Sequence, residues 1–249
     1  MADSQAPSTD QDTVQPVVLI TRVGSWVGAE AAVHFLKRGV TVIGVGSNPD
    51  RISELTCALA KLSHNKGKFI PCVGVLTSPE LQDQIVEHIK SEGQLTAFVH
   101  NVGAYEPPNA QEREPIEQWV ALQKSLLEAL PMAHRVRAFL RKQKGRVVNV
   151  ASDDALTELP NHVALVAIKT AVNMLTAELA LVEPSITSLA VHPGIWPPFT
   201  STSASLPPNT DKLKPAGELI VDLALNAKHS MSGQFFMYSE PEFLKSSTS

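Results

Sequence analysis

Residues 17–28 read VVLITRVGSWVG. Val17, Val18, Leu19 and Ile20 form a short apolar run closed by Thr21. Without polar alternation, such a run suits a strand covered on both faces. The turn that follows carries Gly24 and Gly28, and residues 28–37 then have helical character, with Gly39 close behind. Strand, glycine-bearing turn and helix in that order form the first half of a βαβ unit. Its helix N-terminus presents backbone N–H groups to an anion.

The same alternation continues along the chain. Further strands are expected at residues 41–45, 68–73, 97–101, 146–151, 188–192 and 234–238. Further helices are expected at 51–62, 79–90, 114–142 (with an interruption near Pro131), 163–181 and 215–226. The helix at 163–181 is apolar almost all round, which suits burial between layers or against a partner. Strands alternating with helices predict right-handed crossovers. The fold class is α/β, a Rossmann-like doubly wound parallel sheet of about seven strands with helices on both faces.

One domain over residues 16–244 is expected, between a polar tail at 1–15 and a short tail at 245–249. The Pro-, Ser- and Thr-rich stretch 195–213 follows a strand end and reads as a substrate lid. A hydrophobic fraction of 43%, a charged fraction of 18% and a net charge of −4 describe an ordinary globular chain. They give no electrostatic reason to expect nucleic acid or an anionic membrane as partner. Cys57 and Cys72 match no disulfide or metal spacing, so two core thiols and no metal are expected. The polar, acidic start lacks a basic region and an apolar run, so the expected location is cytoplasmic.

A second stretch carries the chemistry. Residues 148–169 read VNVASDDALTELPNHVALVAIK. Ser152 sits just past an apolar strand, Lys169 lies in the following helix, and Leu165 stands four positions before it. Together with the first turn, this frame resembles the short-chain dehydrogenase/reductase family. That family's turn reads T-G-x-x-x-G-x-G, of which Thr21 and Gly28 remain. His100-Asn101-Val102-Gly103 stands where the family has N-N-A-G. Val148 to Ser152 matches the strand that ends in the catalytic serine. Lys169 matches the lysine of Y-x-x-x-K, and Pro193-Gly194 the P-G after the sixth strand.

The resemblance implies NAD(P)(H) at the turn, with Thr21, Arg22, Gly24, Trp26, Gly28, Asn101, Lys169, Pro193 and Gly194 as its altered or vestigial contacts. It also implies dimer or tetramer faces on the two long helices. The departures are equally informative. Leu165 replaces the tyrosine that moves the proton. Leu126 or Ser125 stands where the family's catalytic asparagine falls. Arg22 and Trp26 replace turn glycines. Gly46-Ser47-Asn48 carries neither the acid of NAD enzymes nor the base of NADP enzymes, and Val75 replaces an adenine-contacting aspartate.

Carbonyl reduction needs a donor where negative charge develops on oxygen, and a leucine supplies none. Asp154, Lys169, Ser152 and Asp153 are the candidate catalytic groups, acting as acid, base or salt-bridge partners. Tyr105, Asn101, His162, Leu165 and Trp196 are the candidate substrate contacts, with Trp196 placed to stack on a flat ligand. Against these stand plainer readings. The aspartates suit a solvated loop, His162 a helix cap, Trp196 the core, and His192 a structural role.

Three functions follow. The first is a non-redox cyclisation or isomerisation of a hydrophobic biosynthetic intermediate, with no cofactor and Trp26 filling the nucleotide groove. The second is NADP(H)-dependent reduction of an imine, iminium or carbonyl substrate without the usual tyrosine, with cyclisation as a following step. The third is a non-catalytic binding or scaffold protein.

Overall fold

The computed structural model describes residues 15–101, 115–151, 163–193 and 214–237. The elements run β1 (Pro16–Ile20), α1 (Trp26–Lys37), β2 (Thr41–Gly46), α2 (Pro49–Ala60), β3 (Phe69–Val73), α3 (Pro79–Glu92) and β4 (Gln94–Asn101). They continue with α4 (Pro115–Gln143), β5 (Arg146–Val150), α5 (Val163–Val182), β6 (Thr187–His192), α6 (Lys214–Asn226) and β7 (Phe235–Met237). A 3-10 turn at His229–Met231 leads into β7. All pairings are parallel, in the order β3-β2-β1-β4-β5-β6-β7.

The continuous apolar strands are explained by a sheet buried on both faces. On one face Val18, Ile20, Val42, Val99, Val148 and Val191 pack under α1, α2 and α6. On the other, Val17, Leu19, Ile43, Phe98 and Val147 pack under α3 and α4. Burial on this scale, at roughly 25 cal/mol per Å² of apolar surface, is the main force holding the layers.

Strand β4 carries a bulge that decides one later point. Val17 pairs with Leu95 and Val18 with Ala97, so Thr96 is skipped. One extra residue flips the side chains that follow to the opposite faces. Ala97 and Val99 therefore face α1 and α6, whereas Phe98 lies with α3 and α4. His100, two residues on from Phe98, shares its face and stacks on it.

Helix starts differ from the sequence expectation by a residue or two, and caps explain why. α1 begins at Trp26, not at Gly28, because Ser25 accepts a hydrogen bond from Gly28 N at 3.1 Å. α2 begins at Pro49 because Asn48 accepts from Arg51 N at 3.0 Å. Ser78 caps α3 in the same way.

Two expectations are corrected. α4 runs unbroken through Pro131. A proline removes one N–H from the helix ladder, and here Met132, Val136 and Leu140 anchor the following turns in the core. Cys72 is buried, but Cys57 is exposed. Helix α2 buries Ile52, Leu55 and Leu59, and Cys57 falls outside that stripe.

Candidate functional site

Strand order reverses between β1 and β4, and the crevice for a ligand lies at their carboxyl ends. There the turn between β1 and α1 is held from three sides. Thr21 is buried, and its hydroxyl accepts from Asn101 N at 2.9 Å. The side-chain amide of Asn101 donates to Ser25 Oγ at 2.7 Å and to Arg22 O at 3.4 Å. Val23 N donates to Val45 O at 2.9 Å.

Asn101 is thus engaged by the turn. It shapes the β1 side of the crevice, and its amide hydrogens are taken up by the turn. Arg22 has φ 50°, the left-handed backbone that a glycine adopts freely. The turn therefore keeps a glycine-type conformation although an arginine stands there. A Cβ on Gly28 would lie 2.6 Å from Arg22 O and 2.8 Å from Val23 Cα, so only glycine lets α1 start this close to β1. Gly24 is less constrained, since a Cβ there would meet Ile52 and Arg51 at ordinary contact distance. Trp26 is half-buried as the first residue of α1.

These features fit a dinucleotide. The helix N-terminus faces the crevice, the turn has kept its close approach, and an arginine stands in the turn itself. No carboxylate stands at Gly46-Ser47-Asn48, and the Asn48 side chain is engaged by the α2 cap.

On the other side of the crevice lie β5, β6 and α5. Lys169 is buried and donates to Val150 O at 3.2 Å. Leu165 falls in the first turn of α5, four residues ahead of it. Leu126 packs against the cluster of Ala151, Ile168, Val172 and Ala190. Leu126, one of the two positions that the resemblance gives to an asparagine, is therefore in apolar contact with α5. His192 and Pro193 are buried at the end of β6.

Tyr105, Ser152, Asp153, Asp154, His162, Gly194 and Trp196 lie outside the described residues, as does the 195–213 lid. Among the described residues, no group of three or more His, Cys, Asp or Glu side chains could hold a metal ion. None of the described helices is long and apolar enough to cross a membrane.

Sequence reasoning missed a buried polar chain behind the crevice. His100 Nδ1 lies 3.0 Å from Asn149 Oδ1, and Asn149 Nδ2 donates to Thr176 Oγ1 at 2.9 Å. Burial pushes the His100 pKa down to about 4, outweighing the Asn149 hydrogen bond, with the positive charge of Lys169 adding to the depression. The signal was present in the sequence: Asn149 interrupts an apolar strand, and Thr176 an apolar helix.

The model of the short chain dehydrogenase family matches residues 16–209. An uncharacterized oxidoreductase of Schizosaccharomyces pombe is 28% identical over 90% of this chain and 96% of its own length. A 3beta-hydroxysteroid dehydrogenase of Mediterraneibacter gnavus is 27% identical over 77% of this chain and 70% of its own. Among solved structures, a short-chain dehydrogenase/reductase of Saccharomyces cerevisiae superposes with a TM-score of 0.72 at 21% identity, covering 92% of this chain and 98% of that one. NAD+-bound xylitol dehydrogenase gives 0.72 at 18% identity, covering 90% and 98%. With its turn, its sheet order and a family model spanning most of its length in agreement, the chain belongs to the short-chain dehydrogenase family.

Proposed function

We propose that this protein is a nicotinamide-nucleotide-dependent oxidoreductase, with NADP(H) as the expected form. Its substrate is a small hydrophobic molecule whose accepting carbon is already electron-poor, such as an iminium ion. The observation that carries this reading is the glycine-type shape of the turn. Arg22 holds a glycine-type backbone, and Gly28 still lies against Arg22 O. Both keep the backbone open to the close approach that a diphosphate makes at a helix N-terminus. The family's relatives, named as oxidoreductases and dehydrogenases, favour the same direction.

The start of α1 and Arg22 would receive the diphosphate, and the missing carboxylate after β2 favours a phosphorylated ribose. Lys169 would hold sugar hydroxyls from below. When bound, the nucleotide supplies a hydride. Addition to an iminium carbon sends the electron pair to nitrogen and leaves a neutral amine. No proton has to be delivered, so a leucine at 165 is tolerated. Lys169 keeps a positive charge at the crevice, and Ser152 and Asp154 orient the substrate.

A non-redox, proton-assisted cyclisation or isomerisation is the second reading. The apolar packing of Leu126 favours it, because a leucine offers no polar group to a reductive step.

One test separates them. The protein is incubated with deuterated dihydronicotinamide nucleotide and either a cyclic imine or the matching ketone. Deuterium in the amine, with little in the alcohol, is expected. Equal transfer to both would overturn the activated-substrate claim. Transfer to neither would overturn the redox reading. The second reading would then predict that Asp154→Asn or Lys169→Ala slows turnover.

Self-association through α4 and α5 belongs to the same proposal. Val120 and Leu127 on α4 and Met174, Leu181 and Val182 on α5 are exposed apolar side chains, with Leu181 74% exposed. Solvent contact at such residues is unfavourable and is relieved when a second copy covers them. Light scattering is expected to give a dimer or tetramer that Leu181→Lys shifts towards monomer. A monomeric parent would contradict this.

A further inference from the structure

His100 is 3% exposed, and its ring is fixed by its neighbours. Phe98 stacks on it with centroids 5.9 Å apart and planes 9° from parallel. The bonds around it determine its tautomer. Thr176 Oγ1 donates its one proton to Val172 O at 2.8 Å. It must therefore accept from Asn149 Nδ2, at 2.9 Å. Asn149 is left presenting its carbonyl oxygen to His100 Nδ1, at 3.0 Å. A carbonyl oxygen only accepts, so Nδ1 carries the proton. In the neutral ring Nε2 is then a bare lone pair.

That lone pair is buried and has no hydrogen-bond partner among the described residues. A buried acceptor without a donor is costly, and most such groups are satisfied by protein or by ordered water. Among the described residues, the charged group beside this ring is Lys169, buried on α5 and held by the carbonyl of Val150, the residue that follows Asn149 on β5, and its charge acts on the ring. It does not reach Nε2 directly, since no hydrogen bond joins the two. From α4, Leu126 brings only apolar surface to Ile168 and Val172.

We propose that His100 is a positioning residue for Lys169, joined to it by one buried water. The ammonium donates to the water oxygen, and the water donates to the bare Nε2. The chain Thr176–Asn149–His100–water–Lys169 then holds the lysine charge in place from behind, with both strands and α5 contributing. It fixes the tautomer through hydroxyl and amide groups that do not titrate. The inference rests on the proposed function only for what Lys169 does, and its geometry needs no nucleotide.

The test is made on the protein without nucleotide, so its outcome is separate from that of the redox reading. Long-range 15N–1H correlation spectra report both ring nitrogens of His100. The expected result is a protonated Nδ1 and an unprotonated Nε2, with Nε2 at the chemical shift of a hydrogen-bonded acceptor. Lys169→Met is expected to move Nε2 towards the shift of a free lone pair and leave Nδ1 in place. A protonated Nε2, or an Nε2 indifferent to that substitution, would overturn the proposal. Should Lys169→Met fail to fold, magnetisation transfer from a long-lived water to His100 Hε1 in the unmodified protein decides. Its presence supports the bridge, and its absence overturns it.

Discussion

Arg22 occupies left-handed backbone at φ 50°, which costs a non-glycine residue roughly 1–2 kcal/mol. The turn keeps that cost because Asn101, Ser25 and Gly28 close around it. Gly28→Ala is therefore expected to destabilise the protein by about 1–3 kcal/mol, as overpacking against backbone does. An unchanged denaturant midpoint would mean that the turn relaxes. Thiols provide a second check at this scale. Cys57 is exposed, whereas burial pushes the Cys72 thiol up to about 11. One thiol is expected to react quickly with an alkylating reagent and the other only on unfolding, and rapid double labelling would contradict the burial of β3. Gly28 was legible in the sequence because its spacing from Thr21 is the family's own. The conformation of Arg22 was not, because residue type argues against it and only the surrounding bonds reveal it.

Among the elements, the pairing of α4 with α5 depends on one carboxylate. Glu183, just past the end of α5, is buried and accepts a two-pronged bond from Arg141, with Nε at 2.7 Å and Nη2 at 2.6 Å. Arg137, one turn earlier on α4, adds a third bond at 2.7 Å. The Arg141 hydrogen bonds hold the Glu183 carboxyl below the ordinary value of 4.5 despite its burial. A carboxylate whose folded pKa is depressed stabilises the fold above its unfolded pKa, and that stability is lost as the pH falls through the folded pKa. Glu183→Gln is thus expected to lower the thermal midpoint at neutral pH and to flatten its decline in acid. A variant with the parent's acid limb would exclude the clamp.

The existence of these helices followed from periodicity, but this clamp did not. Glu183 and Arg141 lie far apart in sequence, and nothing local pairs them. The bulge at Thr96 was equally hidden, although it decides that His100 faces the α4–α5 layer.

For the molecule as a whole, the doubly wound parallel sheet is the one that the alternation of strands and helices predicted, while turn and lysine were placed by the family resemblance. What changed is the balance among functions. Counting lost family residues favoured a groove without a nucleotide, whereas the preserved turn favours one with it. His100 gives the whole fold a pH signature. Its pKa falls from 6.5 to about 4 on burial. The unfolded chain therefore binds a proton that the native state refuses, and stability is full above the unfolded value and declines as the pH falls towards 4. The span corresponds to roughly 3 kcal/mol. His100→Asn is expected to weaken this dependence in urea titrations across that window, and an unaltered slope would mean that the ring is solvated.

The proposed chemistry turns on whether a nucleotide seats at the β1–α1 turn. Calorimetric titration of the protein with NADPH and with NADH decides this. Micromolar binding is expected, tighter for NADPH, and weaker in Gly28→Ala. Absence of heat with both nucleotides, together with binding gained in a Trp26→Gly, Arg22→Gly double variant, would show a groove closed by the residues that replaced its glycines, and would contradict the claim.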